Sequence, residues 1–240
     1  MMAILQTRDL EKNFGGVFVA RAINFEMQPG EIHCLIGPNG AGKSSFFRLI
    51  LGQHQPSAGT IWFDGQEITP LKSFQRIRLG ISVKFQVPGI FKALSVWQNL
   101  EIGLQYHMQG DSLSAEIRQV LDFIELTDQA TERAGNLSHG QQQWLEIGMA
   151  MSVKPKLLLL DEPTAGMSPQ ETAKTGEMVR TLNAEGMSIL AVEHDMTFVR
   201  QIAQQVTVLH FGEIFAQGTI DQIVADERVA KIYLGKTNEA

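Results

Sequence analysis

The chain has 240 residues, 44% of them hydrophobic, and a formal net charge of −6. That is enough apolar material for one substantial core or two modest ones, and no basic block suggests a nucleic-acid surface. The single cysteine, Cys34, excludes an intrachain disulfide. The longest purely aliphatic run, Leu157 to Leu160, is far below the roughly 20 residues of a membrane span.

Met1 to Asp9 carries neither a charged leader nor a long apolar segment, so no signal peptide is expected. Short strands are predicted at residues 4–5, 17–20 and 23–27, with a turn at Pro29-Gly30. A strand over 32–36 contains Cys34, which reads as an inert core residue in keeping with a reducing cytoplasm. A helix from about Lys43 stops near Gly52. Residues 60–63 and 66–68, joined by Asp64-Gly65, form a hairpin, and 81–86 is a further strand. After Pro88 the texture turns helical to about residue 152, where Leu113, Ile117, Val120, Leu121 and Ile124 recur at helical spacing. From Lys156 the alternation of strand and helix resumes. A strand spans 157–160, and a helix opens on the capping box Ser168-Pro169-Gln170-Glu171 and ends at Gly186. A strand at 188–192, a hairpin over 206–209 and 214–216, and one or two short helices over 220–234 follow. The chain thus reads as an α/β nucleotide-binding core (1–87 and 153–240) interrupted by a helical insert (88–152), all within one domain.

Three patterns carry chemistry. Gly37-Pro38-Asn39-Gly40-Ala41-Gly42-Lys43-Ser44 fits G-x-x-x-x-G-K-[ST], between a buried strand and a helix. There the glycines let successive N–H groups point at phosphate oxygens, and the helix N-terminus, through Ser45, adds partial positive charge. Lys43 can reach the β- and γ-phosphates, and the Ser44 hydroxyl can hold Mg²⁺. Asp161-Glu162, at the end of the apolar strand, lies where open α/β sheets bind ligands. Asp161 is placed to hold Mg²⁺, and Glu162 to face the γ-phosphate as a general base. In Leu137-Ser138-His139-Gly140-Gln141, Ser138 and Gln141 fit a capping box, while Gly140 and the Ser138 hydroxyl offer a second phosphate site. One nucleotide needs one cradle, so a second invites a partner chain.

With Gln86 in Phe85-Gln86 and His194 in Glu193-His194-Asp195, these motifs stand in the order and approximate spacing of the ABC transporter ATP-binding subunits, which the chain resembles over nearly its whole length. The resemblance implies a P-loop NTPase fold with a RecA-like core, an N-terminal antiparallel β subdomain and an inserted helical subdomain. It implies ATP and Mg²⁺ as ligands. It makes Gln86 the residue that contacts Mg²⁺ and the attacking water, His194 a switch histidine at the γ-phosphate, and Phe14, before Gly15-Gly16, the aromatic stacked on adenine. It also implies a dimer, with itself or a close paralogue, in which Ser138, Gly140 and Gln141 serve the partner's ATP. Integral membrane permease subunits and, indirectly, a solute-binding protein complete the assembly, at the cytoplasmic face of the membrane.

Two positions depart from the family pattern: His139 replaces a glycine and Ser168 an aspartate. Ala165-Gly166-Met167 and the tail Ile232-Tyr233-Leu234-Gly235 resemble importers of branched-chain amino acids, amides and urea, and the run from Leu137 to Met149 looks most like the urea-importer ATPase. Residues 87–100, with Ile90, Phe91 and Trp97, form either a docking surface for the permease or core. A soluble ABC-type mechanoenzyme acting on ribosomes or DNA is the rival reading, but the chain has no coiled-coil insertion, second cassette or basic extension. A P-loop kinase or GTPase would leave 137–141 and His194 without a role.

Overall fold

A computed structural model describes residues 2–87, 89–105 and 108–234. Pro88 and Gly235, both used in the sequence reading, lie outside the described residues. The chain begins with β1 (Leu5–Phe14) and β2 (Val17–Met27), an antiparallel hairpin. Each is longer than the sequence pattern suggests. Polar residues such as Arg8, Asp9 and Glu11 interrupt the apolar alternation, yet β1 is held on both edges, by β2 and by a later strand. Asp9 and Ala22, both with φ of 45°, mark irregularities where the hairpin bends without ending.

β3 (Ile32–Ile36) leads through the glycine-rich loop into α1 (Lys43–Ile50), as the sequence predicts. The hairpin of β4 (Ala58–Phe63) and β5 (Gln66–Glu67) completes a four-stranded antiparallel sheet in the order β2-β1-β4-β5. Next comes α2 (Ser73–Arg78), a short helix with no amphipathic signal in the sequence. Its role is local. Arg76 is fully buried and donates to the carbonyls of Leu49 and Ile50, both at 2.7 Å, capping the end of α1 with a cation. Burial pushes its pKa down to about 10.

β6 (Ile81–Lys84) stops two residues before Gln86. The helical stretch follows as α3 (Val96–Leu104), α4 (Gly110–Phe123) and α5 (His139–Ser152). Then come β7 (Leu157–Asp161), α6 (Pro169–Ala184), β8 (Ser188–Val192), α7 (Met196–Ile202), β9 (Gln205–His210), β10 (Glu213–Gly218), α8 (Ile220–Ala225) and α9 (Glu227–Leu234). The sequence reading passed over α7, although Asp195 accepts from the Thr197 N–H as its cap and Phe198, Val199 and Ile202 bury one face.

A six-stranded sheet in the order β10-β9-β3-β8-β7-β6 is parallel except for β10. Strand alternation divides its side chains between two cores. Leu35, Leu157, Leu159, Leu190 and Val192 face α1 and the four-stranded sheet. Cys34, Leu158, Leu160, Ile189 and Ala191 face α6 and α7, in a cluster that continues into α4 and α5 through Ile117, Leu121, Leu145 and Ile147. The helical stretch therefore shares its core with the sheet. Ile90 is buried in that cluster, Trp97 packs against it and Phe91 is half exposed. No described helix is long and apolar enough to cross a membrane.

Candidate functional site

The carboxyl ends of β3, β6, β7 and β8 meet at one rim, and each sends a loop across it. The loop after β3 is wedged tightly. A Cβ on Gly37 would overlap the Leu209 carbonyl of β9, and one on Gly42, at φ 105°, would overlap the Val19 carbonyl of β2. Only glycine fits where two backbones press so close. Lys43 is buried and donates to the carbonyls of Gly37 (2.6 Å) and Pro38 (3.2 Å), so its ammonium crosses the mouth of the loop. Ser44 and Ser45 open α1, where N–H groups have no partner within the helix.

The loop after β7 holds Glu162 in a left-handed conformation, φ 46°, fixed by its N–H donating to the Val192 carbonyl at 2.9 Å. The two oxygens of Glu162 face two different loops. Gln86 Nε2 donates to Oε2 at 2.9 Å, and His194 Nδ1 stands 3.9 Å from Oε1. These three residues and the start of the glycine-rich loop, Gly37 to Asn39, line a cavity of about 470 Å³. A second cavity, about 230 Å³, brings Ser44, Gln86 and Asp161 together. A hydroxyl, an amide and a carboxylate make a donor set suited to a hard divalent cation that keeps several waters. Burial and, after it, the neighbouring Glu162 push the Asp161 carboxyl up, while Lys84 pulls the other way. The residues present therefore fit both a triphosphate and its Mg²⁺.

Two charged residues that the sequence reading did not single out hold this rim together. Lys84, fully buried at the end of β6, donates to the carbonyls of Asp161 and Glu162, both at 3.3 Å. Burial lowers its pKa. Glu193, fully buried at the end of β8, ties two loops. Its Oε1 accepts from the Thr164 N–H (3.2 Å) and hydroxyl (2.8 Å), and its Oε2 from the N–H groups of His194 (3.0 Å) and Asp195 (3.4 Å). Burial raises its pKa. A charge ending an otherwise apolar β strand was the visible signal for both.

Ser138, Gly140 and Gln141 lie elsewhere. Ser138 caps α5, its hydroxyl accepting from the Gln141 N–H at 3.2 Å while Gln141 Oε1 accepts from the Ser138 N–H at 3.0 Å. Ser138 is exposed, and none of the three lines either cavity. They adjoin the start of α6 instead. The carboxylate of Glu171 lies where a side chain on Gly140 would go, and His139 Nε2 stands 2.9 Å from the Ala165 carbonyl. Ser168 caps α6, with its N–H and hydroxyl both donating to Glu171 Oε2 at 2.8 Å. Phe14, at the end of β1, is half exposed; Lys12 covers one ring face at 4.7 Å and His54 meets it edge-on. It lines neither cavity.

The family model for the ABC transporter matches residues 20–165. The chain is 33% identical to the high-affinity branched-chain amino acid transport ATP-binding protein BraF of Pseudomonas aeruginosa, across 97% of this chain and 98% of that protein. The same figures hold for LivG of Escherichia coli K12, another high-affinity branched-chain amino acid transport ATP-binding protein. Among solved structures, the ADP conformation of an ATP-binding cassette of an ABC transporter superposes with a TM-score of 0.88 at 29% identity, covering 98% of this chain and all of that one.

Proposed function

The chain belongs to the ABC transporter family and is an ATPase of P-loop fold, and we propose that it energises an importer of branched-chain amino acids, amides or urea. The observation that carries the ATPase at its centre is the convergence of Glu162, hydrogen-bonded by Gln86 on one oxygen, with His194 3.9 Å from the other, at the mouth of the Gly37–Ser44 loop. Relatives named for branched-chain amino acid transport support the solute class, the Ala165-Gly166-Met167 segment fits the same class, and the 137–149 run points within it toward urea.

Bound ATP supplies the γ-phosphoryl group, and Mg²⁺ offsets its charge. The N–H groups of residues 39–45 cradle the phosphates, and Lys43 turns from the Gly37 and Pro38 carbonyls toward them. Ser44, Asp161 and Gln86, which line one cavity, would hold the cation. Glu162 orients and deprotonates the attacking water, Gln86 keeps its carboxylate aimed, and His194 faces the γ-phosphate. Phe14 stacks on the base. Catalysis is mostly placement and electrostatics.

Ser138, Gly140 and Gln141 lie outside the cavities of this chain's own loop, so they complete the site of a second copy or a close paralogue. Closure of that dimer around ATP, and reopening after hydrolysis, drives integral permease subunits at the cytoplasmic membrane face, fed by a solute-binding protein. Light scattering on the Glu162→Gln chain tests self-pairing: ATP should double the mass, and a monomer at saturating ATP would assign the second half-site to a paralogue. Uptake of labelled leucine, an aliphatic amide and urea by cells lacking the chain tests the solute. Unchanged uptake of all three would exclude the importer reading.

A further inference from the structure

Glu146 lies two turns into α5, on the face that packs against β6, and is 5% exposed. One of its oxygens, Oε1, accepts from the N–H of Phe85 at 3.2 Å and from the N–H of Gly89 at 2.9 Å. A single carboxylate oxygen thus holds Phe85 and Gly89, which stand on either side of Gln86 in the chain. Among the described residues the other oxygen, Oε2, has no hydrogen-bond partner. Burying a carboxylate in this way is unfavourable. The nearby Lys84 offsets part of the penalty. An apolar residue would fill the helix face without any penalty, so what the carboxylate supplies is its grip on the loop.

The same helix begins at Ser138. Eight residues at 1.5 Å per residue put Glu146 about 12 Å along a rigid rod from that cap. At the far side of the loop, Gln86 reaches Glu162. One continuous path therefore runs from Ser138 through α5 to Glu146, across the pinned loop to Gln86, and on to Glu162.

We propose that Glu146 is a positioning residue that couples the half-site offered to the partner's nucleotide, at the start of α5, to the placement of Gln86 in this chain's own catalytic centre. This rests on the roles assigned above to Ser138 and Gln86. Nucleotide of the partner subunit displaces the start of α5. The helix moves as a unit, Glu146 draws Phe85 and Gly89 with it, and Gln86, next to Phe85, shifts against Glu162. Two sites that share no atom are then read by each other through one carboxylate.

The test uses the full chain with ATP and Mg²⁺, following turnover against ATP concentration and amide hydrogen exchange at Phe85 and Gly89. Glu146→Ala should lower kcat by about 10- to 100-fold, as expected for lost orientation, with the apparent KM moving less than about threefold because the Lys43 loop is untouched. Exchange at Phe85 and Gly89 should quicken. Glu146→Gln, which keeps an oxygen acceptor, should retain kcat within about threefold of the native chain. Gly89→Pro removes one donor from the loop's side without touching the helix core, and should repeat the Glu146→Ala phenotype even if that variant does not fold. Native kcat in Gly89→Pro, or a Glu146→Gln chain as slow as Glu146→Ala, would overturn the proposal. Gln86→Ala and Ser138→Ala serve as controls. If both turn over at the native rate, the site reading itself fails; if both are slow while Gly89→Pro is not, only the coupling through Glu146 fails.

Discussion

Gln86 and Glu162 stand 76 positions apart in the chain and meet through a 2.9 Å hydrogen bond, the Gln86 amide donating to the Glu162 carboxylate. The contact joins the loop after β6 to the loop after β7, neighbouring parallel strands whose register, Lys84 beside Leu160, brings both loops to one rim. A glutamine can orient the carboxylate without neutralising it, which a lysine in that place would do.

Glu162→Gln should bind ATP as tightly as the native chain yet turn it over about 10²- to 10⁴-fold more slowly, the range for loss of a general base. The amide keeps the shape but cannot take a proton from water. Phosphate release against equilibrium nucleotide binding measures the two effects separately, and equal losses in both would move Glu162 from catalysis to binding.

Lys43→Ala should weaken ATP binding by about 1.5–3 kcal/mol, roughly 10- to 150-fold in Kd, the worth of charge-assisted hydrogen bonds. Gly37 and Pro38, whose carbonyls it now meets, line the cavity at the loop mouth, where water can replace the ammonium, so the fold should tolerate the change. Titration with a fluorescent ATP analogue checks the affinity; an unchanged Kd would contradict the role given to the ammonium.

Gly140→Ala would drive a methyl group into the Glu171 carboxylate. That side chain is flexible and can move aside, but it then releases Ser168 and loosens the cap of α6. Loss of such a cap is worth about 1 kcal/mol, a fall in Tm of about 2–4 °C for a chain this size. Because both changes act on one contact, the Gly140→Ala/Glu171→Ala pair should melt no lower than Glu171→Ala alone. Additive losses would show that Gly140 matters for another reason.

Glu193→Gln should destabilise the fold by roughly 1–3 kcal/mol, because its amide group must face N–H donors that the carboxylate now accepts. The gap should depend on pH. Burial raises the Glu193 pKa, so the folded chain holds this proton more readily than the unfolded one. The native chain therefore gains stability from this group as pH falls through the raised folded value toward the ordinary value near about 4.3, whereas the amide of the Glu193→Gln chain does not titrate. Urea unfolding of both chains between pH 7 and pH 4.5 should show the difference widening. A gap that narrows would mean that the carboxyl is held more strongly ionised in the fold than out of it.

What was legible in the sequence is what depends on near neighbours. The glycine-rich loop, the Asp161-Glu162 step, and the boxes at Ser138 and Ser168 are each written within eight residues, and strands such as 32–36 and 188–192 match the structure end to end. Lys84, Glu193 and Glu146 act on loops up to 78 residues away, so nothing local marks their partners. The lengths of β1 and β2 were hidden for a similar reason. Their polar residues extend as strand because neighbouring strands supply the hydrogen bonds. α2 exists largely to place Arg76 over the end of α1, a tertiary purpose that no periodicity in six residues can announce.

The left-handed turn at Glu162 also restricts what drift can put there. Valine, isoleucine and threonine are poorly tolerated at φ 46°, whatever the chemistry, because branching at Cβ crowds the backbone. Glycine and asparagine sit there comfortably. A descendant of this chain that abandoned hydrolysis but kept its shape would be expected to carry an unbranched residue such as glycine, asparagine or glutamine at position 162, and not valine, isoleucine or threonine.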